Sequence, residues 1–261
     1  MALNRTALRL AVIEALAPHQ LHAEGGNWPT LAEGRVIDTA LDRIFDGWDG
    51  TRRCYVAIYI DGGERRARGG DQDDLAGDSQ DFCTLGIELA MPVVTTDDDG
   101  NPLAYAPQSD ADAEAMLDLL EAQIHQRIEW ARMDGLLHHV LIGLSKSVSE
   151  PQRDPDLGVR VTARRVEYDC AIRQQAALPV GQTGLARLPS PLREVAERLP
   201  AHSAGLDTCL RLVAAMADPA GFTELETFRI AASLARAAGS PAPPASANGE
   251  GGDLQASVTL P

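Results

Sequence analysis

His19 and His22 stand at a spacing common among metal ligands, but no cysteine pair or second histidine pair accompanies them, so no zinc centre is expected. His138 and His139 are adjacent and point in different directions in any regular element, which suits surface or packing roles. The acidic runs Asp71–Asp74 and Asp97–Asp99 lack the alternating Asp-x-Asp-x-Asp-Gly loop with its distal Glu, so they read as solvated loops and not as calcium sites. Gly62-Gly63 and Gly69-Gly70 flank Arg65-Arg66 without any phosphate-cradling frame. Lys146-Ser147 matches the end of a P-loop, yet Val140 and Ser145 occupy the two positions where that loop needs glycine. Ser145 and Ser147 have no nucleophile-elbow frame, and Glu88 is a lone acid expected to pair with an arginine. No catalytic residue, cofactor or metal is therefore expected. A module of this kind suits a place in an assembly better than an enzyme.

Composition narrows the class. The chain has 261 residues, enough for one large domain or for a core of ~150 residues with an extension. A hydrophobic content of 44% predicts an ordinary buried core. No apolar run approaches the ~18 residues of a membrane span, so no membrane partner is expected. The N-terminus has Arg5, Arg9 and Glu14 but no small-residue cleavage site, and reads as a mature helix and not a secretion signal. Cys54, Cys83, Cys170 and Cys209 are scattered, and read as small buried hydrophobes in a reducing compartment, with a Cys–Cys staple as the alternative. The net charge of -15 opposes nonspecific phosphate binding. Lys146 is the single lysine, an arginine bias that suits a GC-rich coding genome.

The elements follow from periodicity. Leu8, Val12 and Leu16 predict a helix over 3–16, capped by Asn4 and ended by Pro18. A loop over 19–34 leads to a short strand at 35–39. Alternation in Cys54–Ile60 and in Phe82–Met91 predicts two strands. Between them, 61–81 holds two glycine pairs and many acids, the composition of a mobile hairpin tip. A second acidic loop spans 95–110. Ala113, Leu117, Leu120, Ile124 and Ile128 share one stripe of a helix over 110–133, with acids at its N-terminus. In 159–172, Val159, Val161 and Ala163 alternate in one phase, whereas Val166, Tyr168, Cys170 and Ile172 alternate in the other. A strand that bulges or bends at Arg164-Arg165 is expected.

Beyond Gln175 the character changes. Short helices are expected over 188–199, 205–217 and 221–238, with Leu206, Leu210, Val213 and Met216 as the stripe of the second. Residues 239–253 are rich in Pro, Ala, Gly and Ser and are expected to be flexible. They precede strand-like Leu254–Leu260, which suits either addition to the sheet edge of a neighbour or a frayed terminus. Three regions are expected: an α+β domain over 1–175, a helical extension over 176–238 and a tail over 239–261. The expected fold is a small mixed or antiparallel sheet packed by two helices.

In order and spacing, residues 1–175 resemble the tail terminator proteins of long-tailed (siphovirus-like) bacteriophages. The resemblance rests on the N-terminal helix, Val56-Ala-Ile-Tyr-Ile60, Thr84-Leu-Gly-Ile-Glu88, the acidic helix start Asp110–Asp118, and Gln152-Arg-Asp154 ahead of the long final strand. It implies a virion structural protein: a homo-oligomeric ring, hexameric in that family, that binds the last ring of the tail-tube protein. Such a ring ends tube growth and offers a surface to the neck or connector protein. The implied place is the tail–neck junction of the virion, and the host cytoplasm before assembly. Genomic DNA would pass through the lumen without specific binding. Asp61, Glu64, Asp71, Asp73, Asp74, Asp78 and Asp81 are the candidate acidic lumen loop, a negative wall that repels phosphate. Leu254, Val258 and Leu260 are the candidate inter-subunit strand. The alternatives are another phage component (a head-closure, connector or minor tail protein) or, from a different class, a small acidic enzyme or adaptor with its site in 61–81.

Overall fold

The computed structural model describes residues 2–38, 53–67, 79–96, 102–105, 107–153 and 160–217. The fold is α+β. Five strands form a mixed sheet in the order β1-β2-β3-β7-β6, from β1 (Val36–Asp38), β2 (Tyr55–Ala67), β3 (Ser79–Ala90), β6 (Leu141–Arg153) and β7 (Arg160–Ile172). β1 runs parallel to β2, and every other pairing in this sheet is antiparallel. β4 (Val93–Thr96) and β5 (Pro102–Tyr105) form a separate two-stranded hairpin where a loop is expected.

Two long helices, α1 (Ala2–Leu16) and α3 (Ala111–Asp134), pack on the sheet and on each other, and a short helix, α2 (His19–Glu24), stands where a loop is expected. The core is the meeting of their stripes with alternate strand residues. Leu8, Val12 and Leu16 of α1 and Leu117, Leu120, Ile124 and Ile128 of α3 are buried with Ile58, Leu85, Ile87, Leu89, Val166 and Ile172. Asp110 caps α3, its Oδ1 accepting from the Ala113 N–H at 2.8 Å, and Glu114 in the first turn suits the helix dipole. Asn4 is not a cap. It lies within α1, fully buried, where its Nδ2 donates to Asp81 Oδ2 at 2.7 Å and to the Arg173 carbonyl at 3.1 Å.

β7 departs from expectation in an instructive way. Its register with β3 is continuous from Asp81↔Ile172 to Ala90↔Ala163, so no bulge lies at Arg164-Arg165. Arg164 takes a core-facing position between Val166 and Thr162, and three carboxylates of α3 receive it there. An arginine on the inner face broke the apolar alternation without breaking the strand. The irregularities lie in β6, whose pairing with β7 shifts at three places. β6 is an edge strand with weak alternation, a mid-strand Lys146 and Pro151, which is why periodicity did not reveal it.

The outer face of the sheet carries a close approach at Gly86. Gly86 sits opposite Tyr59 in the β2–β3 register, and a Cβ there would lie 2.3 Å from the Tyr59 ring. The aromatic ring covers the bare backbone of the glycine. Gly86→Val is expected to displace that ring at a cost of about 2 kcal/mol, read as a lowered urea midpoint. A midpoint equal to that of the parent would show that the ring moves freely.

The chain divides into two units, Met1–Leu210 and Arg211–Pro261. The first unit therefore runs past the boundary expected at Gln175. Leu188, and Leu192, Val195 and Ala196 of α4 (Leu192–Ala196), are buried, with α4 packed against α1. In α5 (Ala204–Ala217) the fully buried residue is Cys209, whereas Leu210 of the expected stripe is exposed. The helix expected over 221–238 and the strand over 254–260 lie outside the described residues.

Candidate functional site

The acidic hairpin divides into parts with different physics. Asp61 and Glu64 are not loop residues but lie on β2, and Asp81 lies on β3. Between Asp61 and Glu64 the register with β3 slips by one residue at Gly62-Gly63, with Gly62 at φ +60°, a glycine bulge. The Gly62 carbonyl accepts from Arg5 Nη1 at 3.0 Å, which ties the bulge to α1. Asp71, Asp73, Asp74 and Asp78 lie outside the described residues.

Each described acid of the hairpin has an arginine. Asp61 pairs with Arg165 at 2.7 Å, and Glu64 pairs with Arg66 at 2.7 Å. Asp81 cannot face a lumen, because its side chain is fully buried. Arg65 grips it with two hydrogen bonds, at 2.7 and 3.1 Å, while Asn4 donates to it from α1. Burial pushes the Asp81 carboxyl up, but the hydrogen bonds and charge of Arg65, aided by Asn4, outweigh it and hold the group below its ordinary value. The hairpin base is thus an electrostatically compensated anchor.

The exposed sheet face beside it carries Tyr59, Glu88, Arg165 and Glu167 around Gly86. The Tyr59 hydroxyl donates to Glu88 Oε1 at 3.3 Å, and the Arg165 guanidinium lies 5.4 Å from the Tyr59 ring centroid. Burial first, then the charge of Glu88, push the Tyr59 phenol up to about 12. It stays a donor at neutral pH. Glu88 stands beside Arg165 in the β3–β7 register, but Arg165 pairs with Asp61 and Glu167, and among the described residues Glu88 has no ion pair of the kind expected for it.

No known protein family and no curated protein matches this sequence.

Two further features went unseen in the sequence. A groove of about 510 Å³ runs between the charged flank of α3 and strands β6 and β7. At one side Arg164, 12% exposed, donates to Asp118 at 2.6 Å, Glu121 at 2.8 Å and Glu114 at 3.0 Å. Burial opposes its charge, yet the hydrogen bonds and charges of Glu121 and Asp118 outweigh it and hold the guanidinium firmly protonated. The signal was present as Glu114, Asp118 and Glu121 at i, i+4, i+7 spacing, one flank of a helix. The second feature is an apolar stripe on another side of α3, where Met116, Leu119, Trp130 and Met133 are all exposed. Their spacing of three and four, filled by Gln123 and Gln126, is that of a helix seam.

The histidines make packing contacts. His22 meets Trp28 edge-on at 4.9 Å and fills the space beside Gly34, and His138 and His139 meet edge-on at 5.7 Å. Among the described residues no group of three or more His, Cys, Asp or Glu side chains converges as metal ligands. All four cysteines are buried free thiols, with Cys83 opposite Cys170 across β3 and β7.

Proposed function

We propose that the protein is a tail terminator of a long-tailed bacteriophage: a ring-forming virion component that caps the tail tube, ends its polymerisation and presents a surface to the neck. The observation that carries this reading is the apolar stripe of α3, joined to the order of elements over the first unit. Trp130 is 50% exposed and Met133 is 64% exposed, on a helix whose opposite stripe already fills the core. Such side chains are costly in water and are favoured as the centres of protein interfaces. A closed ring needs head-to-tail contacts between different surfaces of identical copies, and the stripe supplies one of the two. The acidic composition supports the same role, since a wall with net negative charge keeps passing phosphate from adhering.

The stripe can be removed without touching the core. The double substitution Trp130→Ser, Met133→Ser is expected to change monomer stability by no more than about 0.5 kcal/mol. It is expected to weaken self-association or tube capping by at least about thirtyfold, as the loss of an interface tryptophan does. Sedimentation velocity of the full chain, alone and mixed with a tail-tube protein, measures both. Equal assembly by parent and variant would remove the stripe from the account.

A further inference from the structure

Cys83 and Cys170 face each other across the two central strands. They are register partners in the antiparallel β3–β7 ladder, and both lie in the core, Cys83 at 6% exposure and Cys170 at 0%. The ladder fixes their separation. The Met91 N–H donates to the Thr162 carbonyl at 2.9 Å, so in the same unbroken register every second pair back along β3 is a hydrogen-bonded one, Cys83–Cys170 among them. Such pairs stand about 5.5 Å apart between Cα atoms, inside the roughly 4.4–6.8 Å over which a disulfide closes. Both thiols are free. Cys54 precedes β2 and Cys209 lies on α5, and neither is the register partner of a cysteine.

The two thiols differ in chemistry. A hydrogen bond with Cys170 holds the Cys83 thiol below its ordinary value, against burial and with help from the charge of Arg5 on α1. The same hydrogen bond, then burial, push the Cys170 thiol up, and its Sγ also lies 3.4 Å from the Tyr168 carbonyl. Asp81 opposes a thiolate at Cys83, but Arg65 and Asn4 already engage that carboxylate. Cys83 is thus the better nucleophile and the less enclosed of the two, and Cys170 is placed to resolve it.

We propose that Cys83 and Cys170 form a peroxide-responsive pair that closes into a cross-strand disulfide between β3 and β7. The Cys83 thiolate attacks one oxygen of hydrogen peroxide, and the O–O bond breaks. A sulfenic acid forms, and the departing hydroxide takes up the proton that Cys83 gave up and leaves as water. The Cys170 sulfur then attacks the Cys83 sulfur and the S–O bond breaks. The sulfenic hydroxyl leaves as a second water with the Cys170 proton. The protein loses two electrons and two protons, and one peroxide becomes two waters. Peroxide is little larger than water and needs only the slight opening at Cys83. The chemistry lies within one chain and does not depend on ring formation.

The test treats the folded full chain with hydrogen peroxide without denaturant, blocks the remaining thiols, and digests it without reduction for mass spectrometry. The expected product is lighter than the parent by two hydrogens and yields a linked Cys83–Cys170 peptide, with Cys54 and Cys209 blocked as free thiols. Cys170→Ser keeps the nucleophile and removes the resolving thiol, so dimedone is expected to capture a sulfenic acid on Cys83. Cys83→Ser is expected to give neither a bridge nor an adduct on Cys170. Two buried side chains that serve packing alone produce none of these signals, and the parent's linked peptide decides the matter even where a serine variant does not fold. Cys54, 3% exposed beside the same sheet, gauges unfolding in a parallel sample with N-ethylmaleimide. A bridge that forms while Cys54 resists alkylation belongs to the folded chain. A bridge that appears only as Cys54 is alkylated, a bridge through Cys54 or Cys209, or the absence of any bridge overturns the pair.

Discussion

A chain carrying Asp81→Ala unfolds about 3 kcal/mol more easily than the parent in urea, the size of effect seen when one partner of a buried ion pair is removed. The Asp81 side chain has no exposure, and it joins three parts of the molecule: Arg65 on β2, its own strand β3, and Asn4 on α1. Truncation leaves the Arg65 guanidinium, 28% exposed, without its carboxylate and leaves Asn4 Nδ2 with the Arg173 carbonyl alone. Asn4 Oδ1 already lacks a partner, so the network has no spare donor. The pH dependence has a definite sign. The folded-state pKa of Asp81 lies below the ordinary value of 3.8, so its stabilisation is fully present above that value. It is lost as pH falls below 3.8 and on through the depressed folded-state pKa. Asp81→Asn, which cannot titrate, should flatten this part of the acid limb. A loss under about 1 kcal/mol for Asp81→Ala would mean that water reaches the pair and that the anchor is nominal.

Removing Arg164 has the second large effect. Arg164→Ala leaves Glu114, Asp118 and Glu121 together on one flank of α3 without their shared counter-ion. Asp118 is mostly exposed, so its share is screened and small. The other two carboxylates are half-buried, and the aliphatic stem of the arginine also covers the core face of β7. A loss of about 2 kcal/mol is expected, recovered in part by salt because the remaining repulsion is between partly solvated charges. Arg164→Met keeps the stem and loses the charge, so it should fall between parent and alanine. An alanine variant no less stable than the methionine variant would assign the whole effect to charge.

The two helices and the central strands were legible because their apolar residues repeat with the period of the element. Leu8–Val12–Leu16, Leu117–Leu120–Ile124–Ile128 and Leu85–Ile87–Leu89 each face the core as spaced. β6 was not legible. An edge strand buries little, so selection for alternation is weak, and Ser145, Lys146, Ser147 and Pro151 give no period to read. The phase change in β7 was seen, but its cause was tertiary: Arg164 faces inward only because α3 brings carboxylates to meet it. Asp81 misled for the same reason. In sequence it closes an acidic glycine-rich stretch, and only the fold places Arg65 and Asn4 around it. The exposed stripe of α3 could have been found by asking what the helix carries away from its core stripe, since Met116, Leu119, Trp130 and Met133 already stand at seam spacing.

The proposed role makes this chain one repeat of a closed wall at the end of a tail tube. Native mass spectrometry of tails disassembled under mild conditions weighs the species that holds this 27.8 kDa chain. The ring reading predicts one dominant homo-hexamer, labile on dilution and released from the terminal tube ring. A stable dimer, or a single copy per tail, would contradict it.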